Sequence, residues 1–259
     1  MEIRVNKKEN VYFIVKVVVT ILVLLGIVKA FLALSSSNTG VVATYISVFA
    51  LYAIVIWLFV IFQKILLVGY LKGNGVEVNQ DQFPEIFEVY REMNSNLQIA
   101  KIPPLFIIQQ GGSLNAFAIR FSGKNYIAIY SEIFELINSD VEIVKFILGH
   151  ELGHVKRNHM SKMFWTLLSS IIPFLSAAYS RGCEFTCDNI GHDLSNNGSQ
   201  QGLLVLAAGK KLYKQIDIDK YIANSIKQKS NSVSFSEICS THPFLPNRLL
   251  NVINSKEFS

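Results

Sequence analysis

Three residues near the middle of the chain, His150, Glu151 and His154, have the types and spacing needed to activate water on a metal ion. Residues four apart in an α-helix lie on one face about a turn apart, so the two imidazoles can bind one zinc ion. Glu151 lies beside them, where its carboxylate can take a proton from water whose pKa the zinc lowers. The segment HELGH therefore predicts a catalytic zinc site with Glu151 as the base for attack on an amide carbonyl.

A catalytic zinc ion needs a third protein ligand and an open fourth position for water. The candidates that follow HELGH are Glu184, His159, Cys183, Cys187, Asp188 and His192. Glu184 is the predicted ligand, because it lies four residues before Asp188 in a helical stretch, which gives one ligand and one carboxylate that can orient a zinc-binding histidine. The cysteines are better explained as core or incidental thiols, since two thiolates with two histidines would close the coordination shell. His159 and His192 are expected outside that shell.

The elements that must position these residues are short. The helix carrying HELGH is predicted to begin at Ser139-Asp140 and to continue at helical spacing towards His159. Residues 83–97 have the apolar spacing of an amphipathic helix, and 69–80, with Gly73-Asn74-Gly75, is typical of a linker. Short strands are predicted at 105–109, 115–120 and 126–130, with turns at Gly111-Gly112 and Gly123-Lys124. This part of the chain is therefore predicted to be mainly helical with a small β-sheet.

Two apolar stretches near the start of the chain are long enough to cross a bilayer. Residues 11–34 are apolar except for Lys16 and Lys29, and 41–62 contains no charged residue, whereas a span needs about 20 apolar residues. Lys29 lies near a helix end, where its long stem can carry the ammonium to the headgroups. The hydrophobic share of 51% is also higher than in most soluble domains. The sequence therefore predicts a hairpin of two transmembrane helices.

The distribution of charge indicates the orientation of this hairpin. The short loop 35–40 has no Lys or Arg, and basic residues flank the pair of spans on the other side, at Arg4, Lys7, Lys8, Lys64 and Lys72. The positive-inside rule then puts the N-terminus and the catalytic domain in the cytoplasm, which suits three cysteines that are expected to be free thiols. No basic run is interleaved with aromatic residues, so the net charge of +5 does not indicate a nucleic-acid partner.

A third apolar stretch, 163–180, lies between the predicted ligands His154 and Glu184. The residues between these ligands are too few for two crossings of about 20 residues each. A single crossing would put the ligands on opposite sides of the membrane. With Pro173 in its middle, the stretch is expected to form a re-entrant or surface-embedded hairpin, or a helix pair over the active-site cleft. An ordinary core helix is the alternative.

Four segments carry a resemblance to a known family. They are Asn115-Ala116-Phe117-Ala118 on a strand, HELGH at His150, Glu184-Phe185-Thr186-Cys187-Asp188 followed by Gly191, and Thr241-His242-Pro243 with Arg248. In this order they resemble the HtpX-type membrane zinc endopeptidases, gluzincins related to the CAAX prenyl proteases, from about Gly69 to the C-terminus. Cys187 departs from the usual small residue of the family, and BlaR-type antirepressor sensors often have Cys-Asp there. The Asn-Ala-Phe-Ala and His-Pro segments favour the HtpX side.

The resemblance implies roles for three further segments. The strand Asn115, Ala116, Phe117 and Ala118 would be a sheet edge along which an extended substrate pairs. His242 would approach the zinc and help to stabilise the tetrahedral oxyanion, although a structural histidine is an alternative. Arg248 would fix the C-terminal segment rather than take part in chemistry.

These observations lead to one prediction for the whole chain. We expect an α+β, mainly helical zincin-like metallopeptidase domain with a small β-sheet at 73–259, preceded by a two-helix transmembrane anchor at 1–72. With one Zn²⁺ per chain it would cleave membrane-associated proteins or peptides, in quality control or processing, in a bacterial cell membrane. The alternatives are a zinc-stabilised membrane sensor or scaffold that cleaves nothing, and a BlaR-like antirepressor protease.

Overall fold

The computed structural model describes residues 1–35, 39–109 and 115–254, in which helices predominate around one small sheet. The α-helices are α1 (Lys7–Ser35), α2 (Thr39–Asn74), α3 (Pro84–Asn96), α4 (Ser131–Phe134), α5 (Val141–Lys156), α6 (His159–Trp165), α7 (Leu175–Leu194), α8 (Gly198–Leu212), α9 (Ile218–Lys227), α10 (Asn231–Cys239) and α11 (Leu245–Asn254). The strands are β1 (Val76–Glu77), β2 (Leu105–Ile108), β3 (Ala116–Phe121) and β4 (Lys124–Tyr130). Short 3-10 helices lie at Glu135–Asn138, Leu167–Ile171 and Tyr213–Gln215. The predicted α+β, mainly helical fold is confirmed.

The sheet has the order β1-β2-β4-β3. Strand β2 runs parallel to β4, while β1 and β3 are antiparallel to their neighbours. The three predicted strands are confirmed to within two residues at their ends, and β3 and β4 form a hairpin in which Gly123 has a φ of +76°. The predicted Gly111-Gly112 turn lies outside the described residues. Strand β3 is left at one edge of the described sheet, next to α5.

The prediction of a linker at 69–80 is wrong. Helix α2 continues to Asn74, and Val76–Glu77 then pairs with β2. Gly75 makes this abrupt change possible, because a Cβ there would lie 2.5 Å from the Leu71 carbonyl oxygen. The apolar side chains of the last turns of α2, including Val68, pack on the sheet and hold the helix past the glycines. Helix α2 and the sheet are therefore joined directly.

The two faces of the sheet pack against different partners, as the two-residue period of a strand requires. Leu105, Ile107, Ile127 and Ile129 belong to the main core with α3 and α5. Phe106, Ile108, Tyr126 and Ala128 face the end of α2. The edge strand and the HELGH helix are thus fixed to one rigid layer.

Helices α1 and α2 are long and apolar enough to cross a membrane, over Lys7–Ala33 and Gly40–Asn74. Most of their apolar side chains are exposed. The beginning of α1 is different, because Glu9 and Lys16 are buried and the Lys16 ammonium donates to Ser176 Oγ at 2.8 Å. The first predicted span therefore packs on the rest of the protein through its first turns.

The stretch 163–180 is not a continuous helix. Helix α6 ends at Trp165, a 3-10 helix follows, and α7 begins at Leu175. The sequence left an ordinary core helix as an alternative, and this is wrong, because Phe164, Trp165, Leu167 and Ile171 are 59–75% exposed. The chain turns back within this stretch, so α5 and the later part of α7 lie side by side.

Candidate metal centre and active-site cleft

Helices α5 and α7 approach closely because glycines line their contact. A Cβ on Gly149 would lie 2.9 Å from the Gly191 Cα, and one on Gly191 would lie 2.6 Å from the Phe146 carbonyl oxygen. Real Cβ atoms essentially never make contacts this short, so only glycine fits at these positions. Gly153, inside HELGH, faces Cys187 less tightly, since a Cβ there would lie 3.0 Å from the Cys187 Sγ. This close approach brings the HELGH side chains within reach of α7.

Three donor groups converge between these helices. The Nε2 atoms of His150 and His154 lie 3.3 Å apart. Glu184 Oε2 is 3.3 Å from Nε2 of His150, and its Oε1 is 3.4 Å from Nε2 of His154. Donors bound tetrahedrally to one zinc ion at 2.0–2.1 Å would lie about 3.4 Å apart. The spacing and the nitrogen and oxygen donor set therefore fit a single zinc ion.

The second ring nitrogen of His150 is held by a carboxylate. Nδ1 of His150 lies 2.9 Å from Asp188 Oδ1. Asp188 is completely buried and also accepts hydrogen bonds from Nε and Nη2 of Arg248. A proton on Nδ1 directed at Asp188 leaves the lone pair of Nε2 free for a metal ion. Asp188 thus fixes both the ring orientation and the tautomer of His150.

Electrostatics keep the carboxylates of Glu184 and Asp188 ionised, because neighbouring charges and hydrogen bonds lower the pKa of each. Burial alone would raise the pKa of the Glu184 carboxyl, but the charges and hydrogen bonds of His150 and His154 hold it well below its usual range. Burial would lower the pKa of His150, whereas Glu184 and Asp188 raise it to about 10. Glu184 and Asp188 therefore form an anionic pocket that favours a cation, either a proton on His150 or a divalent metal ion.

Cys187 is also close to the histidines. Its Sγ lies within 4.8 Å of donor atoms of His150 and His154. However, burial and the nearby Glu184 carboxylate raise the pKa of the Cys187 thiol well above its usual range, and burial raises that of Cys183 to about 12. Both are buried free thiols. Glu184, which is ionised and close to both histidines, fits the third donor position better.

A cleft of about 490 Å³ opens onto these donors and is lined by side chains from all four segments singled out in the sequence. Glu151 lines it beside the histidines. Asn115, Ala116, Phe117 and Ala118 line it along β3, and Met160 and Met163 of α6 lie on another side. His242 lies at the mouth, with a side chain 63% exposed and Nε2 3.6 Å from Glu184 Oε1. The arrangement places a possible general base, three metal donors and a strand edge around one space.

The comparison with known families decides the classification. The model of peptidase family M48 matches the chain in two overlapping segments, residues 80–175 and 163–255. The chain belongs to peptidase family M48. No curated protein matches the chain. Membership makes this chain a peptidase and bears out the resemblance to HtpX-type and CAAX-type zinc metallopeptidases. Family M48 metallopeptidases depend on zinc, and the two apolar helices of this member indicate association with a membrane.

The edge of β3 in this M48 peptidase lies along the cleft and has backbone groups that do not pair with β4. Tyr130 N–H donates to the Asn115 carbonyl at 2.9 Å, so alternate residues from Asn115 onwards pair with β4. Ala116 and Ala118 therefore direct their N–H and C=O groups away from β4. The Ala116 N–H is held by the Asn115 side chain at 2.9 Å. The N–H and C=O groups of Ala118, which also lines the cleft, face the same way.

Two neighbours of the M48 site were missed in the sequence. His159, expected outside the coordination shell and given no role, has Nδ1 3.0 Å from Nδ1 of His154. Its Nε2 lies 3.2 Å from Oε1 of Glu9, at the start of α1. Burial, the largest effect, lowers the pKa of His159 to about 4, although Glu9 opposes this shift. For Glu9, the only signal in the local sequence was that this acidic residue lies just before an apolar span. His192, also expected outside the shell, contacts Ser199 Oγ through Nδ1.

Proposed function

We propose that this chain is a membrane-bound zinc endopeptidase in which His150, His154 and Glu184 hold the metal and Glu151 is the general base. The observation that carries the proposal is the convergence of these three donors at 3.3–3.4 Å beside Glu151 in a cleft. Asp188 orients His150 through the contact at Nδ1. Membership of family M48 supports the peptidase activity.

In the proposed reaction, a zinc ion held by His150, His154 and Glu184 would act as a Lewis acid that lowers the pKa of a water molecule and polarises the peptide carbonyl. A carboxylate oxygen of Glu151 accepts a proton from the attacking water and passes it to the leaving amine nitrogen. The imidazole of His242, at the mouth of the cleft, donates a hydrogen bond to the developing oxyanion. An extended substrate pairs with the edge of β3 along Asn115, Ala116, Phe117 and Ala118, which brings its backbone past Glu151.

The substrates are proteins or peptides held at a membrane, in quality control or processing of membrane proteins. The exposed apolar side chains between Met163 and Phe174 support this assignment. They continue from α6, which lines the cleft, to the 3-10 helix that packs beside α1. A surface of this kind inserts into the bilayer interface, where tryptophan and phenylalanine side chains are favoured. The cleft would then open close to the lipid surface.

The proposed organisation is a transmembrane hairpin at 1–72 followed by a catalytic domain at 73–259. Basic residues on the outer flanks of the two spans support a cytoplasmic N-terminus and a cytoplasmic catalytic domain. The chain would thus be a multi-pass protein of a bacterial cell membrane. The segment 163–180 enters the interface without crossing it.

The decisive experiment compares Glu151→Gln with the wild-type chain in detergent or lipid. The variant should bind one zinc ion as tightly as the wild type and lose cleavage by at least about 100-fold, because it removes general-base catalysis. Glu92→Gln, which changes an exposed glutamate on α3, is the matched control and should cleave normally. Peptides that accumulate with Glu151→Gln in its native membrane identify the substrate.

Normal cleavage by Glu151→Gln would contradict the proposed mechanism. The alternative is a zinc-stabilised sensor or scaffold, in which four protein ligands close the coordination shell. It predicts that neither the variant nor the wild type cleaves any protein of the native membrane, and that X-ray absorption of the zinc form shows four protein donors without water.

A further inference from the structure

The first turn of α1 packs against α7 so closely that only glycine fits at the contact position on α7. A Cβ on Gly182 would lie 2.7 Å from the backbone nitrogen of Glu9. Asn6 N–H donates to Thr186 Oγ1 at 3.0 Å, and the Asn189 side chain donates to the Arg4 carbonyl at 3.1 Å. The side chain of Glu9 is thereby carried to the far side of the metal centre, where it is completely buried.

From there a line of three side chains runs to the proposed metal. Oε1 of Glu9 lies 3.2 Å from Nε2 of His159. Nδ1 of His159 lies 3.0 Å from Nδ1 of His154. Nε2 of His154 lies 3.4 Å from Glu184, among the metal donors. His159, whose side chain is only 2% exposed, therefore lies between Glu9 and His154, and its Nδ1 also lies 3.7 Å from Sγ of Cys187.

The positions of the protons along this line are set by its ends. Nε2 of His159 lies 3.2 Å from Glu9 Oε1 without hydrogen-bond geometry, but the negative carboxylate still favours a proton on this nitrogen, which leaves the lone pair on Nδ1. His154 must then donate from Nδ1, which leaves the lone pair of its Nε2 free for the metal. Asp188 imposes the same tautomer directly on His150. A carboxylate therefore orients each proposed histidine ligand. Asp188 contacts His150 directly, and Glu9 acts on His154 through the imidazole of His159.

We propose that Glu9 is a positioning residue of the metal centre, acting through His159 on His154, so that the zinc site is complete only when the first membrane helix is seated on α7. The inference rests on the proposed role of His154 as a zinc ligand. The competing explanation is that Glu9 only ties α1 to the protein, since Arg157 Nη2 donates to the same oxygen at 2.8 Å and Lys162 lies 3.5 Å away.

The test measures zinc affinity by competition with a chromogenic chelator, and the visible spectrum of the Co²⁺ form, on the full chain in detergent. Glu9→Gln should weaken zinc binding roughly tenfold, the lower end of the range for groups behind a ligand, and alter the Co²⁺ spectrum. Arg4→Gln is the matched control, because it removes the ion pair of the same N-terminal segment with Asp193 and does not touch the histidines. It should bind zinc normally.

A double-mutant cycle separates positioning from simple attachment. If Glu9 acts through His159, Glu9→Gln should have no further effect on zinc affinity in a His159→Leu background. An undiminished effect in that background, or equal effects of Glu9→Gln and Arg4→Gln, would overturn the inference. If Glu9→Gln does not fold, the same cycle is run with Glu9→Asp, which keeps the charge facing Arg157 and shortens the reach to His159.

The failure of the inference and that of the proposed function have different signatures. A wild-type chain that binds no zinc, or His154→Ala with unchanged zinc affinity, would remove the proposed metal site itself. Normal zinc binding that depends on His154 and not on Glu9 would remove only the role of the first membrane helix.

Discussion

Arg248 donates a hydrogen bond to each carboxylate oxygen of Asp188, from Nε to Oδ2 at 2.8 Å and from Nη2 to Oδ1 at 2.6 Å. The two residues are sixty positions apart, and the pair is almost fully buried. The same Oδ1 contacts Nδ1 of His150. A single carboxylate thus anchors α11 to α7 and orients a proposed zinc ligand.

These two tasks of Asp188 can be separated by mutation. Asp188→Asn should weaken zinc binding by roughly 10–100-fold and lower the free energy of unfolding by about 3 kcal/mol, because the Arg248 charge stays buried without its counter-ion. Zinc titration and thermal unfolding of the metal-free protein measure the two effects. In the double variant Asp188→Asn/Arg248→Met the stability should recover while the zinc affinity stays low. Recovery of both would show that Asp188 affects zinc only through folding.

Glu184 and Cys187 compete for the third donor position, and their variants should behave oppositely. Glu184→Gln removes an anionic donor 3.3–3.4 Å from both imidazoles, so zinc affinity should fall by more than the roughly 100-fold that changes behind a ligand cost. Cys187→Ala should stay within about threefold of wild type, because burial favours the protonated thiol, which is not a zinc ligand. Competition with a chelator measures both. The reverse order would make Cys187 the ligand.

The close contact of α5 and α7 should tolerate no added methyl group. A Cβ on Gly191 would lie 2.6 Å from the carbonyl oxygen of Phe146, so Gly191→Ala must push the two helices apart. We expect a loss of about 1–3 kcal/mol in unfolding free energy, with a lower zinc affinity because Glu184 moves away from the histidines. Gly73→Ala is the control, since nothing lies within 4 Å of its Cβ position. Full zinc affinity in Gly191→Ala would contradict this account of the site.

Parts of this fold follow from local patterns. Helix α3 and the strands β2, β3 and β4 were predicted because apolar residues recur there with a period of 3.6 or 2. The break after α5 was not predicted, because Asn158 adopts a left-handed backbone conformation, with a φ of 55°, that nothing in the local sequence requires. Strand β1 lies within the predicted linker, because its pairing depends on packing of α2 against the sheet rather than on the strand itself.

In the candidate site, too, local sequence patterns predict some residues, and only the folded chain reveals the others. HELGH and the Glu184 and Asp188 pair were found because a four-residue spacing in a helix is visible in the sequence. The contact between Glu9 and His159 joins residues 150 positions apart and leaves no periodic signal. The glycines of α5 and α7 also give no signal in the sequence, because they matter only through the atoms that a Cβ would contact in the folded chain. Long-range contacts of this kind require the folded chain.

The free edge of β3 predicts a selective effect on substrate binding. Ala118→Pro removes the N–H that faces away from β4, so it should leave the sheet and the zinc affinity intact. The value of kcat/KM should fall about three- to tenfold, which corresponds to one net hydrogen bond. Ala118→Ser keeps the N–H and is the control. Peptide hydrolysis assays measure the difference, and equal losses in the two variants would argue against pairing of substrate with this edge.

The apolar surface between α6 and α7 predicts a dependence of activity on the membrane. Trp165 and Ile171 are 75% and 71% exposed, and inserting each of them into the bilayer interface would contribute roughly 1.5–3 kcal/mol. In Trp165→Ser/Ile171→Ser the two proposed transmembrane helices would still anchor the chain, but the cleft would no longer be held at the lipid surface. Cleavage of a membrane-embedded substrate in vesicles should therefore fall several-fold, while cleavage of a soluble peptide in detergent stays unchanged. Ile226→Ser, which alters an exposed apolar side chain of α9, should affect neither reaction. An equal loss with the soluble peptide would mean that these residues support the cleft itself rather than its contact with lipid.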